Sequence, residues 1–336
     1  MSMALVLIAL LAPAVLTALL LLLVASLRGP VVDLRAAPHH AVAGWDGGVP
    51  DRDGVVHRTL RRARHRTVVV LATASVVLVV GALVDALAPE RLGLPLALSP
   101  GLAATVALLL YAALPLPAPP PARVATASLT RRTARSVVTR RSGLLLAGLA
   151  AAFLGFLGWA AAVAVPDDLG RARSYGLETA DRSAAAGPFP GASYGLPLAA
   201  VTVLLLVATL VALHRIASTP VLPDPDLASV DRHWREASAR VVLGTATAAL
   251  IGYAGATVAF AGIAVRSVLV NLADTGIGPS PVVGTALALS GVLALLAGAA
   301  VAGRTVLVVV TLPGAILAAT PGGTPTIADP ARPGAA

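Results

Sequence analysis

Long apolar stretches alternate with shorter polar segments along the chain, and seven stretches approach the length of a membrane span. A spanning helix needs about 20 mostly apolar residues. The pattern therefore predicts an all-α polytopic transmembrane helix bundle that covers residues 1–319, followed by a tail at 320–336. We expect this tail, rich in Pro, Gly and Ala, to be disordered. The seven predicted spans cover residues 3–27, 67–87, 97–116, 143–165, 195–214, 241–265 and 282–310.

The ends of three spans are open to alternatives. Ser99-Pro100-Gly101 is typical of a helix start, with Ser99 as the cap. The alternative is an earlier start near Leu94, with a kink at Pro100. The sixth span either ends near Val265 or continues to Leu272. The apolar stretch that follows Arg304 is too short for an eighth span.

The first apolar run, Met3–Leu27, differs from a signal peptide in its charge pattern. A signal peptide carries positive charge before its apolar core. Here no Arg precedes the run, and Arg28 follows it directly. The pattern predicts an uncleaved span whose amino end is outside.

The distribution of Arg predicts the orientation of every span. Residues 28–66 hold eight Arg, residues 118–142 hold six, residues 215–240 hold four, and the tail adds Arg332. The segments that alternate with these hold five in total. Cytoplasmic segments of membrane proteins carry an excess of basic residues. We therefore expect a multi-pass protein of the cell membrane, with its amino terminus outside and its carboxyl terminus in the cytoplasm.

Composition supports the membrane class and removes several kinds of chemistry. The chain is 12% charged, about half the usual fraction of a soluble domain, and its mean hydropathy is +0.87. All 25 basic residues are Arg, which in an Ala-, Val- and Leu-rich chain is typical of a GC-rich bacterial genome. The absence of Cys excludes disulfides and thiolate metal sites, and the absence of Lys excludes a Schiff base to retinal or pyridoxal. Membrane topology accounts for the net charge of +9, so we do not expect a nucleic-acid partner.

Small residues recur at regular spacing in three of the predicted spans. Such positions allow helix backbones to approach closely inside a bilayer. Spacing by seven residues keeps the positions on one side of a helix that coils left-handedly. We expect the fourth, sixth and seventh spans to form a tightly packed core through Ala147, Ala151 and Gly155, through Ala248, Gly255 and Gly262, and through Gly284, Gly291 and Gly298.

Two motifs resemble catalytic or metal sites but lack the required context. Gly191–Gly195 matches the nucleophile pattern G-x-S-x-G, which belongs between a strand and a helix of an α/β sheet. The nearest downstream base, His214, lies roughly 30 Å from Ser193 at the far end of one helix. The His and Asp residues between His39 and His57 match no zinc or calcium spacing. The sequence therefore predicts no catalytic, cofactor-binding or metal-binding residue, and no cofactor.

The best candidates for ligand-binding positions lie near the ends of the predicted spans. The segment 166–193 mixes charges, aromatic residues and Pro turns, which favours an ordered cap over the bundle. Phe189 and Tyr194 in addition fit an interfacial aromatic belt. A ligand site beneath the cap, with Asp85 and Arg182, is the sharper hypothesis, since ionisable groups inside a membrane are usually functional. The candidate positions are Asp85, Arg182, Tyr194, Arg266 and Arg304.

Three functions remain open from the sequence. The first is a non-enzymatic membrane subunit of a transport or export complex, whose basic cytoplasmic segments contact anionic lipid head groups and dock a protein partner. The second is an autonomous small-molecule carrier. The third is a membrane-embedded enzyme, which would need converging acid, base or metal ligands at one membrane face.

Overall fold

Helices dominate the structure. A computed structural model of the protein describes residues 52–88, 93–114, 138–178, 182–219, 228–273 and 280–318. Its helices are α1 (Arg52–Leu87), α2 (Leu94–Ala113), α3 (Arg140–Val163), α4 (Ala192–Ala217), α5 (Ala228–Asn271) and α6 (Val282–Ala318). Each of these six contains a stretch long and apolar enough to cross a membrane. They correspond to the second to seventh predicted spans, whereas Met3–Leu27 and the tail at 320–336 lie outside the described residues.

Three helices extend by eight residues or more beyond the spans predicted for them. α1 begins at Arg52, α5 begins at Ala228, and α6 continues to Ala318. The prediction that residues 52–66 and 228–240 belong to loops is therefore wrong. Hydropathy marks only the part of a helix that suits lipid, and Arg is a good helix former that lets a basic segment continue the helix into water.

The start of α2 also differs from the favoured prediction. Gly93 caps the helix in a left-handed conformation, with φ of 85°, and a Pro follows in the first turn. Ser99 lies inside the helix, where its hydroxyl donates to the Leu96 carbonyl at 2.9 Å. The Ser99 cap was thus wrong, and the alternative start at Leu94 is confirmed. The longer alternative for the sixth span is confirmed as well, since α5 ends at Asn271.

The core of the bundle forms around α4. Leu205, Ala208 and Ala212 of this helix have no exposed surface. The Tyr253 ring of α5 meets the Phe153 ring of α3 edge to face, with centroids 5.4 Å apart. The oxygens of Tyr253 and Thr202 share a hydrogen bond of 2.8 Å, which satisfies both hydroxyls in the interior.

α5 and α6 form an antiparallel pair whose backbones are in close contact. A methyl group added at Gly255 would lie 2.6 Å from the Leu295 nitrogen, and one at Gly291 would lie 2.6 Å from the Gly255 carbonyl oxygen. Similar contacts occur at Gly262, Gly284 and Gly298, so the glycines spaced by seven residues line one continuous seam. The predicted contact of the sixth and seventh spans through small residues is confirmed.

The small residues of α3 behave differently. Ala147, Ala151 and Gly155 are exposed, and a methyl group added at Gly155 would meet nothing within 4 Å. α3 instead buries another face, which includes Leu146, Phe153 and Leu157. The predicted role of the Ala147 stripe in the core is wrong, because α3 packs against the bundle through the larger side chains of this other face.

A small antiparallel sheet caps one end of the bundle. It consists of β1 (Ala164–Pro166), β2 (Ala172–Glu178) and β3 (Ser183–Ala186), in that order. The sheet packs against α4 and α5, so the predicted ordered cap is confirmed. Phe189 is 1% exposed and its ring lies 5.4 Å from that of Tyr175. Because Phe189 and Tyr194 are both buried, their assignment to an exposed aromatic belt is wrong.

The long extensions of α1, α5 and α6 all lie at the end of the bundle opposite the cap sheet. Arg66 of α1 contacts Tyr111 near the end of α2, and Arg235 of α5 binds carbonyls at the end of α4. α6 runs antiparallel to α5, so its last residues lie at this end too. The starts of α1 and α5 and the end of α6 therefore share one end, which we call the basic end. At 1.5 Å per residue, the 44 residues of α5 extend about 66 Å, roughly twice the hydrocarbon thickness of a bilayer.

Candidate functional site

Polar side chains meet where the cap sheet joins the bundle. Asp85 comes from the end of α1, Tyr194 from the first turns of α4, and Arg173 from β2. Asp167 lies in the turn between β1 and β2, beside Arg171. We call these five residues the cap cluster, and they link three separate parts of the fold.

Asp85 is the most deeply placed acid of the cap cluster. Its side chain is buried, with 6% of the residue exposed, and its Oδ1 atom has no hydrogen-bond partner. The backbone groups of Gly93 and Leu96 lie within hydrogen-bonding reach of the carboxyl. Gly93 has no side-chain cap of its own, so one role of Asp85 is to face the positive end of α2. That role leaves Oδ1 free to accept a hydrogen bond.

Tyr194 connects Asp85 to the cap sheet. It is buried at the start of α4, close enough to both Asp85 and Arg173 for their charges to act on its phenol. Arg173 in turn forms a short ion pair with Asp167. Tyr194, Arg173 and Asp167 thus join the start of α4 to the outer turn of the cap.

Asp167 organises that outer turn. Its Oδ1 atom accepts hydrogen bonds from the backbone nitrogens of Leu169 at 3.0 Å and Arg171 at 2.8 Å. Desolvation favours the neutral carboxyl, but these hydrogen bonds, together with the Arg173 guanidinium, hold its pKa below the ordinary value. Gly170 supports the turn by adopting a left-handed conformation, with φ of 71°.

The candidates from the sequence fall into two groups. Asp85 and Tyr194 are buried and lie together in the cap cluster. Arg182, Arg266 and Arg304 are exposed. Arg182 immediately precedes β3, Arg266 packs its backbone against Gly284 on the seam, and Arg304 lies on the outer surface of α6. Two arginines that were not among the candidates, Arg173 and Arg171, act on the Tyr194 phenol.

Sequence reasoning missed two buried arginines, Arg66 and Arg235, and the partly buried Arg173. Arg173, Arg66 and Arg235 look like any other loop or flanking arginine, because hydropathy does not show which residues face the interior. Arg235 is 6% exposed, and its guanidinium donates to the carbonyls of Ile216 at 2.9 Å and Thr219 at 3.0 Å. It therefore stabilises the negative end of α4.

The G-x-S-x-G segment lies at the start of α4. Gly191 precedes the helix, and a methyl group added there would lie 2.9 Å from the Ala172 carbonyl carbon, so the glycine permits close contact with β2. The segment thus joins the cap sheet to the bundle. In the part of the chain that the structure describes, no group of three or more His, Asp or Glu side chains is arranged to hold a metal ion.

Comparisons with protein-family models, with curated proteins and with solved structures gave no match for this chain. The two ends of the bundle are the regions of the described structure that bear on function.

Proposed function

We propose that this protein is a non-enzymatic, multi-pass subunit of a membrane complex, and that its basic end docks a protein partner in the cytoplasm. In this proposal the chain crosses the cell membrane seven times. Its amino terminus and its cap face outward, and its carboxyl terminus is cytoplasmic. A transport or export complex is the class of assembly that fits a bundle of this kind.

The observation that carries the proposal is the length of the helices at the basic end. α1 has 36 residues, of which the apolar span begins only at Val68, so about 16 residues, or roughly 24 Å of helix, precede the lipid-facing part. α5 begins at the same end with a polar segment that starts at Ala228. Continuous helices hold a surface in a fixed place, which favours a docking platform over a simple topology anchor.

The distribution of charge supports the same orientation. The sequences of these extensions carry Arg58, Arg61, Arg62 and Arg64 on α1 and Arg232 and Arg240 on α5. Basic segments remain in the cytoplasm during insertion. A partner with an acidic surface would find complementary charge there, since opposite potentials steer association.

The proposal can be tested by cross-linking the protein in native membranes, purifying it in mild detergent and identifying the bound proteins by mass spectrometry. We expect a stoichiometric soluble or peripheral protein to remain attached to the wild type. The double substitution Arg61→Gln and Arg62→Gln should reduce its recovery several-fold. The matched control is Arg131→Gln with Arg132→Gln, which removes the same charge from a segment outside the described helices.

Two results would overturn the docking proposal. One is a wild-type protein that is recovered alone after cross-linking in the membrane. The other is equal loss of the partner in both double variants, because the effect would then follow total charge rather than the helical extension.

An autonomous carrier is the second candidate, and Asp85 favours it. Buried carboxyl groups in membrane proteins commonly mark ion or substrate paths. The Oδ1 atom of Asp85 has no hydrogen-bond partner and could accept a hydrogen bond from an amine or coordinate a cation at the capped end. Substrate uptake into vesicles that contain only this protein, lost in Asp85→Asn, would favour the carrier over the subunit.

A further inference from the structure

Arg66 occupies an unusual position for a charged side chain. It lies two residues before the apolar span of α1 and is only 6% exposed. Its guanidinium carbon lies 3.7 Å from the centroid of the Tyr111 ring on α2. The face of the guanidinium is therefore covered by an aromatic ring, which is a favourable cation–π arrangement.

The stacked guanidinium leaves two donors without acceptors. The Nε and Nη2 atoms of Arg66 are buried and have no hydrogen-bond partner. These two nitrogens point their hydrogens along the same edge of the planar group, where they form the fork that binds two oxygens of one oxyanion. Stacking on Tyr111 fixes the plane of this fork without using either donor.

No protein acid neutralises this cation in the part of the chain that the structure describes. Asp85 lies on the same helix, but 19 residues away, which is about 28 Å. The neighbouring charge is a second cation, because Arg215 at the end of α4 is close enough to act on Arg66. Burial is the main cause that lowers the pKa of the Arg66 guanidinium, and Arg215 lowers it further.

An isolated buried charge is costly unless it is paired and hydrogen-bonded. The cost disappears when an oxyanion enters the fork. A second nearby cation favours phosphate over carboxylate, because phosphate carries more charge and has more acceptor oxygens.

We infer that Arg66, held against Tyr111 and assisted by Arg215, forms a binding site for a phosphate group at the basic end of the bundle. Nothing in this inference depends on a protein partner. The phosphate belongs either to an anionic lipid head group, since Arg66 lies at the boundary of the apolar span, or to a soluble phosphate compound that approaches from the aqueous side.

The test measures the thermal unfolding of delipidated full-length protein in two arms. The first arm is a titration with inorganic phosphate in detergent, against potassium chloride at the same ionic strength. The second compares nanodiscs of phosphatidylcholine alone with nanodiscs that also contain phosphatidylglycerol. A bound ligand raises the unfolding temperature. A rise in the first arm identifies a soluble phosphate site, and a rise in the second arm alone identifies a lipid site.

The substitution Arg66→Gln removes the charge and the fork. We expect it to weaken the response by about tenfold or more, the usual effect of losing hydrogen bonds to a charged group. Without phosphate or anionic lipid the variant should be at least as stable as wild type, because it no longer buries an unpaired cation. Arg140→Gln, which removes an exposed arginine at the start of α3, should respond like wild type.

Two outcomes overturn the site. They are a wild type that responds in neither arm, and a response that is equal in wild type, Arg66→Gln and Arg140→Gln. If Arg66→Gln does not fold, Arg66→Lys replaces it, because lysine keeps the charge but lacks the fork. A wild-type response in Arg66→Lys would then contradict the bidentate geometry.

Discussion

Asp167 shows how one carboxylate can hold the cap sheet in place. It bonds two backbone nitrogens of its own turn and the Arg173 guanidinium, which reaches toward Tyr194 on α4. These bonds require the charged form of the carboxyl. The pKa of Asp167 is lowered in the folded cap because these hydrogen bonds and the Arg173 guanidinium favour its charged form over the opposing effect of desolvation.

The sign of this dependence gives a prediction. A carboxyl whose pKa is lowered by folding stabilises the protein fully above its unfolded pKa, near 3.8, and this stabilisation is lost as the pH falls through the folded value. Thermal unfolding at pH 7 and below pH 3.8 should show a larger acid-induced loss in wild type than in Asp167→Asn. Asp168→Asn removes the neighbouring exposed charge and should keep the wild-type loss. Equal acid sensitivity in wild type and Asp167→Asn would show that this carboxylate does not hold the cap.

The roles of individual arginines were the least predictable part of the chain. Arg66, Arg173 and Arg235 share the sequence context of the exposed arginines, and each counts equally toward membrane orientation. Their burial depends on contacts with helices distant in the sequence, such as the end of α4 for Arg235. Asp85 was easier to single out, because an acid inside an apolar run stands out in the sequence itself.

The seam between α5 and α6 joins two whole helices through contact between their backbones. The two helices keep one register along the seam. Gly244 of α5 lies beside Thr305 of α6 at one end, and Arg266 of α5 lies beside Gly284 of α6 at the other, as expected for an antiparallel pair. Inside a bilayer the hydrophobic effect does not favour helix association, so close van der Waals contact between the backbones provides the attraction. Spacing by seven residues keeps that contact along the entire apolar length.

Gly291 lies at the middle of the seam and provides the sharpest test of it. Gly291→Leu should lower the unfolding temperature markedly in detergent, because its side chain would displace the Ala259 backbone. Gly155→Leu is the matched control, since this glycine lies on an exposed face of α3 with no atom within 4 Å of an added methyl group. If the two variants unfold at the same temperature, helix contact through the seam does not stabilise the bundle.

Helix position was predictable from the sequence, whereas helix length was not. Each described helix overlaps a predicted span, because apolar runs of this length are rare in any other context. The ends differ, because Arg-rich segments continue the helices at the basic end and Gly93 starts α2 earlier than Ser99. The strands of the cap were not predicted, because their short, mixed sequence carries no clear period. The contact between Ala147 on α3 and the core was predicted wrongly, since spacing alone does not reveal which face is buried.

At the scale of the whole molecule, the exposed surface matches a bilayer. Val79, Leu83, Leu204, Leu293 and Leu296 are all about half exposed or more, and they lie on different helices around the bundle. A water-soluble protein rarely exposes apolar surface on such a scale. α6 contacts the described chain mainly through α5, which leaves most of its surface exposed.

One end of the bundle is basic and the other is covered by the cap sheet. In the proposed function these two ends face opposite sides of the membrane. Partner docking needs the extensions of α1 and α5 to reach the cytoplasm. The cap sheet then faces outward together with Asp85 and Tyr194. An inverted protein would retain the same fold but would present its basic end to the outside.

Single-cysteine labelling in intact cells measures this orientation directly, because the natural chain contains no Cys. One variant places Cys at Ala180, between the second and third strands of the cap, and the other at Thr130, in the segment between α2 and α3. With an impermeant thiol reagent, we expect the first variant to label in intact cells and the second to label only after the cells are opened. Labelling of the Thr130→Cys variant alone in intact cells would contradict the orientation, and with it the docking of a cytoplasmic partner at the basic end.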